Sequence, residues 1–358
     1  MATRATRSPT TGNAELDRLI VEILDHIDPP GDREILHEIL RTAVGLARDG
    51  ADRLNLKITS AALKEMRAAF RAFAPYHDIP KVTIFGSARI QTEQASYAQA
   101  RELARRMAQR GWMVVTGAGP GIMAAGIEGA GRERSFGVNI RLPFEQSANE
   151  FIVGDEKLVS MKYFFTRKLM LMKESRGFVS LPGGFGTLDE TFELLTLQQT
   201  GKAEPSPIVL LDRPGGTFWR GFENFVRDEV ASRGLIDDHD RGLFVITDSA
   251  DAAVAEITGF YRNFHSIRWV GDRLVIRLEA APTNDEMAAL NDEFADVCAR
   301  GRIERSGPLA PEVADGDRLD KSRIVVVFDI FRYGRLRALI DALNRLPSAP
   351  AELTTPPP

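Results

Sequence analysis

The chain has 358 residues, 44% apolar and 27% charged, which is the composition of a soluble globular protein long enough for two or three packing units. Its 46 basic and 50 acidic side chains give a net charge of −4, and no basic block suits a nucleic-acid backbone. No apolar run approaches membrane-spanning length, and the single Cys298 cannot form an intrachain disulfide. We therefore expect a cytoplasmic protein that binds neither a nucleic-acid polymer nor a membrane.

A helical extension is predicted over residues 12–78, after a disordered start at residues 1–11. Apolar residues recur at helical spacing in three runs, which residues 29–31 interrupt and Pro75 ends. The extension carries no recognisable chemistry, so plain packing is favoured over a role in oligomerisation or as a lid.

Short β-rich runs alternate with helical patterns over residues 79–263. This alternation predicts an α/β fold, a Rossmann-like doubly wound parallel sheet, whose ligands bind beyond the carboxyl ends of the strands. The predicted strands are residues 82–85, 113–115, 136–140, 178–181, 208–211 and 244–246.

A small C-terminal α+β appendage is predicted over residues 264–346, followed by a disordered tail at residues 347–358. Its polar turn between two β-rich runs predicts a hairpin, and Thr283 with Glu286 forms a capping-box pattern. The predicted elements are strands at 266–270 and 273–278, a helix from Thr283 through Arg300 that contains Cys298 as a core thiol, a loop to Lys321, a strand at 324–328 and a last helix.

The most informative stretch is residues 177–199, GFVSLPGGFGTLDETFELLTLQQ. A short β run leads into a turn with Gly183, Gly184 and Gly186, and Thr187 is predicted to open a helix. Glycines allow close approach of the backbone, and the first helical N–H groups have no intrahelical partner, so this stretch favours binding of an anion such as phosphate. No Lys follows the last glycine, which argues against a nucleoside-triphosphatase loop.

Glu190 has two interpretations. It can close a capping box with Thr187, or it can serve chemistry beside the glycine turn. The string at residues 182–190, PGGFGTLDE, resembles the P-G-G-x-G-T-x-x-E signature of the LOG family. Members of that family, formerly labelled lysine decarboxylases, split nucleoside 5′-monophosphates into free base and ribose 5-phosphate.

A second glycine loop, TGAGPGIM at residues 116–123, follows the second predicted strand. Its third fingerprint position is Ile122, and no acidic residue ends the next strand, so a nicotinamide cofactor is disfavoured. The loop resembles the G-x-G-x-G-x-M-x-A loop of the LOG family, with a plain structural turn as the alternative. Ser87, in the Gly86-Ser87 pair after the first strand, is a candidate donor to phosphate or ribose, although a simple turn explains it equally well.

Arg167 and Lys168 lie on a helix predicted over residues 161–175. Taken alone, such basic residues favour a structural ion pair or snorkelling. Together they resemble the R-K pair of the LOG family, whose arginine is catalytic alongside the motif glutamate. Residues 137–146, GVNIRLPFEQ, also resemble the longer bacterial members.

These resemblances imply a hydrolase of the N-glycosidic bond of AMP-like nucleotides or cytokinin ribotides, which assembles as a homodimer or larger homo-oligomer. A non-catalytic nucleotide sensor on the same fold is the alternative; a nicotinamide oxidoreductase and a pyridoxal-phosphate decarboxylase fit less well. No histidine shows metal-ligand spacing, so neither metal nor cofactor is expected. The resemblance assigns catalysis to Arg167 and Glu190, and binding of substrate or phosphate to Ser87, Gly117, Gly119, Gly121, Met123, Lys168, Gly183, Gly184, Gly186 and Thr187.

Overall fold

A computed structural model describes residues 10–27, 31–141 and 148–351 of the chain. Contacts divide the chain into two compact units, Met1–Lys64 and Glu65–Pro358. The helices are α1 (Ala14–Ile27), α2 (Arg33–Arg48), α3 (Arg53–Phe73), α4 (Ala95–Gln109), α5 (Ile122–Ala130), α6 (Phe164–Lys173), α7 (Phe185–Gln199), α8 (Phe218–Phe225), α9 (Ala250–Gly259), α10 (Asn284–Glu293), α11 (Ala310–Asp315) and α12 (Tyr333–Arg345). The strands are β1 (Lys81–Phe85), β2 (Met113–Thr116), β3 (Ser135–Ile140), β4 (Leu158–Met161), β5 (Gly177–Ser180), β6 (Ile208–Leu211), β7 (Val245–Thr247), β8 (Phe264–Val270), β9 (Arg273–Leu278), β10 (Cys298–Arg305) and β11 (Ser322–Phe328).

The three helical runs predicted before the sheet are confirmed as α1, α2 and α3. The carboxylate of Asp32 caps α2 by accepting from the amides of Glu34 and Ile35, at 3.0 and 3.1 Å. The predicted break at residues 29–30 lies outside the described residues, as do residues 1–9, 142–147 and 352–358. Among the helices that the structure describes, none is both long and apolar enough to cross a membrane.

The predicted doubly wound sheet is confirmed in the second unit. Seven strands lie in the order β4-β3-β2-β1-β5-β6-β7, and every neighbouring pair is parallel. The chain leaves the central β1 on one side as far as β4 and then returns to β5 on the other side. The carboxyl ends of β1 and β5 therefore form the switch point of the sheet, where an open α/β sheet binds its ligands.

Helices cover both faces of this sheet, so its central strands are buried throughout and mostly apolar. On one face, buried side chains of α3, α6, α7 and α8 pack against the strands, with Phe73 stacked on Phe136 at a ring-centroid distance of 4.2 Å. On the other face, α4 and α9 share one apolar cluster with the C-terminal elements. The site described below lies at the strand ends between these two layers.

The C-terminal elements form a four-stranded antiparallel sheet in the order β10-β11-β9-β8. The predicted hairpin is confirmed as β8 and β9, and the capping box is confirmed because Thr283 and Glu286 bond reciprocally at the start of α10. Beyond α12, the amide of Ser348 donates to Glu286 at 3.0 Å.

Two predicted helices have the wrong bounds. Residues 158–161 form β4, so the helix predicted from Met161 begins instead at Phe164. This strand has four residues, and its pairing with β3 rather than a clear local pattern defines it. The helix predicted through Arg300 ends at Glu293, and Cys298 opens β10, an edge strand paired with β11.

Two smaller differences concern the same regions. The predicted loop to Lys321 contains the short helix α11, whose Glu312 is fully buried against Arg277 and Arg323. Cys298 is only partly buried rather than a core thiol, and desolvation raises the pKa of its thiol.

Candidate functional site

A cleft of about 610 Å³ lies at the switch point of the large sheet. The loops after β1 and β5, the start of α5 and the starts of α6 and α7 converge on it. The residues that line it are Gly86, Ser87, Ala88, Arg89, Met123, Phe164, Arg167, Gly184, Phe185, Gly186, Thr187, Leu188, Asp189 and Glu190. Three separate sequence motifs therefore meet in one cavity.

The main chain of Ser87 ties three of these segments together. Its amide donates to the carbonyl of Pro182 at 3.3 Å, and its carbonyl accepts from the amide of Ile122 at 3.1 Å. The hydroxyl of Ser87 accepts from the amide of Arg89 at 3.1 Å, which closes a local turn. The loop after β1 is thus the link between the two glycine loops.

The first glycine loop, residues 117–121, packs too closely for side chains. A Cβ atom on Gly117 would lie 2.0 Å from Nη2 of Arg167, and one on Gly119 would lie 2.6 Å from Cε of Met123. Gly121 has φ +66°, and a Cβ there would lie 2.4 Å from the carbonyl oxygen of Ser87. These glycines therefore allow Arg167 and Met123 to lie directly against the backbone.

The second glycine loop leads into the N-terminus of α7. The helix begins at Phe185 with Gly184 as its N-cap, which offers no side chain to the first amides. The first-turn amides of a helix have no intrahelical acceptor, so they are available to a ligand at this end. A Cβ on Gly184 or Gly186 would meet nothing within 4 Å, whereas one on Gly183 would lie 2.2 Å from Oγ1 of Thr187. The open space is on the cleft side of the turn.

The capping-box interpretation of Thr187 and Glu190 is wrong. Because α7 starts two residues earlier than predicted, Thr187 is the third helical residue and no longer the N-cap. Glu190 then lies in the second turn, where its side chain lines the cleft. The helix begins within the glycine turn itself, at Phe185, and the local sequence pattern did not indicate this early start.

Arg167 on α6 and Glu190 on α7 come together in the cleft. Nη1 of Arg167 lies 3.9 Å from Oε1 of Glu190, and each side chain is 11% exposed. Nε of Arg167 donates to the carbonyl of Val138 in β3 at 3.0 Å, which fixes the guanidinium against the sheet. The pair therefore has one member held by the sheet and the other held by the helix that starts at the glycine turn.

Burial raises the pKa of Glu190 to about 7. The charges of Arg167 and Lys168 lower it, whereas Asp189 and Glu193 raise it, and desolvation outweighs all of them. A carboxyl group that titrates near neutral pH can change its protonation state during a reaction. This property distinguishes Glu190 from an ordinary surface carboxylate.

Lys168 does not line the cleft; it forms two ion pairs with α7. Its Nζ lies 2.7 Å from Oδ2 of Asp189 and 2.7 Å from Oε2 of Glu193. Desolvation lowers its pKa, but the two carboxylates outweigh that effect and the pKa is raised. This geometry favours a role in holding α6 against α7, and contact between Lys168 and phosphate stays a prediction.

Glu65, on α3, anchors the start of α6. Its carboxylate accepts from the amide of Lys162 at 2.9 Å and from the hydroxyl of Thr166 at 2.7 Å, and Glu65 is buried. Nothing in the sequence indicated this contact, because the partners are about a hundred residues apart. It sets the position of the helix that carries Arg167.

Seven residues that line the cleft were absent from the sequence-based set, namely Gly86, Ala88, Arg89, Phe164, Phe185, Leu188 and Asp189. Arg89 and Phe164 line the cleft, and Phe185, at the variable position of the glycine motif, is 93% exposed. Arg89, two residues after Ser87 in the loop that follows β1, was the one available signal. Within the described residues, no group of three or more His, Cys, Asp or Glu side chains is arranged to hold a metal ion.

The chain is similar in sequence to a family profile and to plant phosphoribohydrolases. A family profile described as "Possible lysine decarboxylase" matches residues 113–257. The chain is 29% identical over 198 residues to the cytokinin riboside 5′-monophosphate phosphoribohydrolase LOG of Oryza sativa subsp. japonica, which covers 54% of this chain and 75% of the relative. It is 33% identical over 162 residues to the probable phosphoribohydrolase LOG6 of Arabidopsis thaliana, covering 44% of this chain and 77% of the relative.

Among solved structures, the molybdenum cofactor binding protein of Rippkaea orientalis is 19% identical, with a TM-score of 0.36 over 48% of this chain and 91% of that one. A likeness at that level says nothing about activity. The identity to the plant relatives, over three quarters of their length, agrees with the glycine motif and with Arg167 of the R-K pair, which line this cleft. The chain therefore belongs to the LOG family.

Proposed function

We propose that this protein hydrolyses the N-glycosidic bond of nucleoside 5′-monophosphates and releases free base and ribose 5-phosphate. The observation that carries the proposal is the buried pair of Arg167 and Glu190 in a cleft that also contains an uncapped helix N-terminus. The phosphoribohydrolases among the relatives support the reaction class. AMP-like nucleotides and cytokinin ribotides are the proposed substrates.

The phosphate is proposed to bind at the N-terminus of α7. Gly184 and Gly186 line the cleft, a Cβ atom on either would meet nothing within 4 Å, and the helix dipole favours negative charge at this end of α7. Gly186 and Thr187 belong to this first turn, and Ser87 lies beside it in the cleft. The first glycine loop, with Met123, would form the opposite wall and contact the ribose or the base.

The proposed chemistry passes through an oxocarbenium-like ribosyl group. As the bond from C1′ to the base nitrogen breaks, positive charge develops on the sugar, and the ionised Glu190 would stabilise it or activate the attacking water. The water oxygen bonds to C1′, and the base leaves with the electron pair of the broken bond and takes up one proton. Arg167 would orient the carboxylate and bind ribose or phosphate oxygens.

Incubation of the purified protein with a panel of nucleoside 5′-monophosphates, nucleosides and bases tests this function, with free base and ribose 5-phosphate as readouts. We expect both products from at least one nucleotide. Glu190→Gln and Arg167→Ala should abolish release while the protein stays folded. Glu193→Gln, which removes a carboxylate from the same helix outside the cleft lining, is the matched control and should retain most activity.

The same panel separates the enzyme from a nucleotide sensor. Binding of nucleotides without any release of base would support the sensor, and absence of both binding and release would contradict both. Retained turnover in Glu190→Gln and Arg167→Ala would assign those two residues to structure.

We also propose that the protein assembles as a homodimer or larger homo-oligomer. Large apolar side chains beside the cleft support this, since Phe165, Leu169 and Phe192 are 54%, 45% and 42% exposed. Light scattering coupled to size-exclusion chromatography tests it. A mass equal to one chain of 39.6 kDa at micromolar concentration would contradict it.

A further inference from the structure

Asn149 makes three hydrogen bonds to the first glycine loop. Its amide N–H donates to the carbonyl of Ala118 at 2.9 Å, and its side-chain Nδ2 donates to the carbonyls of Ala118 and Gly119, each at 3.0 Å. Asn149 lies in the connection between β3 and β4 and does not line the cleft. It therefore contacts the loop from outside the residues that line the cleft.

The loop needs support because its conformation is unusual. Ala118 has φ +59°, the left-handed region that non-glycine residues rarely adopt and that costs on the order of 1–2 kcal/mol. The hydroxyl of Thr116 accepts from the backbone N–H of Ala118 at 3.1 Å. The side chain of Asn149 donates to the backbone carbonyl of Ala118, so polar side chains bond both backbone groups of this residue.

Displacement of this loop would reach Arg167 directly. The Cα of Gly117 lies so close to Nη2 of Arg167 that even a methyl group would not fit between them. Gly119 packs in the same way on Met123. The guanidinium of Arg167 therefore packs against this loop on one side and lies near Glu190.

We infer that Asn149 is a positioning residue that fixes the first glycine loop and, through it, holds Arg167 beside Glu190. Asn149 does not touch the substrate. The expected effect of Asn149 on turnover rests on the proposed function. Its expected effect on the conformation of the glycine loop does not depend on that function.

Asn149→Ala tests the inference, with Asn291→Ala as the matched control. Asn291 also makes three hydrogen bonds to backbone groups, with Met287 and Ile303, but in the C-terminal appendage. Asn149→Ala loses two side-chain hydrogen bonds and keeps its backbone amide bond to Ala118, whereas Asn291→Ala loses three side-chain bonds, so the control should lose at least as much stability. We expect kcat for the nucleotide to fall about 10- to 100-fold in Asn149→Ala, with a smaller change in KM, and to stay near the wild-type value in Asn291→Ala.

A second readout separates positioning from general loss of stability. If Arg167 retreats, it lowers the pKa of Glu190 less, and the acidic limb of the pH profile of kcat/KM moves to higher pH. Equal kcat and an equal acidic limb in the two variants would overturn the inference. A wild-type protein that releases no base from any nucleotide would instead contradict the proposed function.

Hydrogen–deuterium exchange tests the effect of Asn149 on the loop without requiring any enzyme activity. Peptides that contain residues 116–123 should exchange faster in Asn149→Ala than in the wild type, and should be unchanged in Asn291→Ala. If Asn149→Ala does not fold, Asn149→Asp replaces the donor by an acceptor without changing the shape of the side chain and should accelerate exchange in the same peptides. Unchanged exchange of this loop in the folded variant would overturn the inference whether or not the protein is an enzyme.

Discussion

Nη1 of Arg167 lies 3.9 Å from Oε1 of Glu190, beyond hydrogen-bond distance but close enough for a strong electrostatic interaction between two largely buried groups. The guanidinium is held by the carbonyl of Val138, and it does not form a close bidentate pair with the carboxylate. The carboxylate is therefore only partly compensated, which is why desolvation dominates its pKa.

The rate should depend on pH through Glu190. Because the proposed mechanism uses the ionised carboxylate and burial raises the pKa of Glu190 to about 7, kcat/KM should rise with pH through about 7 and level off above it. The second pKa of a phosphate monoester is near 6, so a limb at 6 would report the substrate rather than the enzyme. A rate that falls as pH rises through 7 would instead assign Glu190 the role of an acid.

The stability of the protein should depend on pH through the same group. The pKa is higher in the folded state than its ordinary value of 4.5, so the stabilisation is present below pH 4.5 and is lost as pH rises through 7. From pH 5 to pH 8 this group should cost the wild type roughly 2–3 kcal/mol of unfolding free energy. Urea unfolding at both pH values measures this fall in unfolding free energy. The fall should be smaller in Glu190→Gln than in the wild type, and Glu193→Gln should show the same fall as the wild type.

Alanine at two glycines should have opposite effects on stability. Gly117→Ala pushes a methyl group into Arg167 and Met123, so it should destabilise the protein by about 1–3 kcal/mol and reduce kcat about 100-fold or more. Gly186→Ala faces open space in a helix, so the free protein should be equally stable or up to about 1 kcal/mol more stable. Its methyl group should nevertheless raise KM for the nucleotide. Thermal unfolding combined with steady-state kinetics measures both effects.

Arg89 should recognise the phosphate charge. It lines the cleft and is exposed, and no ion pair joins it to another described residue. Loss of a charge-assisted contact of about 1.5–3 kcal/mol in Arg89→Ala should reduce kcat/KM for the nucleotide about 10- to 100-fold and leave the rate for the matching nucleoside unchanged. Arg105→Ala removes an equal charge from α4, where it pairs with Glu102, and should change neither rate. Equal losses for nucleotide and nucleoside would show that Arg89 acts on the fold rather than on the phosphate.

Local sequence patterns determined most of the fold. The alternation of β-rich runs and helical periodicity predicted the parallel sheet, and the turn and capping residues predicted the C-terminal hairpin and the start of α10. The predictions were wrong where pairing with distant strands defines an element. The four-residue β4 and the edge strand β10 exist because β3 and β11 provide partners for them.

Local features of the sequence indicated the segments that meet in the cleft, namely the Gly86-Ser87 turn, the glycine turn before α7 and the helix that carries Arg167, because such turns and helix starts have fixed places on a parallel sheet. Only the tertiary structure decided the start of α7, the distance between Arg167 and Glu190, and the raised pKa of Glu190. It alone also showed that Lys168 pairs with α7, that Glu65 anchors α6 and that Asn149 supports Ala118. Burial and long-range contacts depend on how distant segments pack, and no single stretch of sequence contains that information.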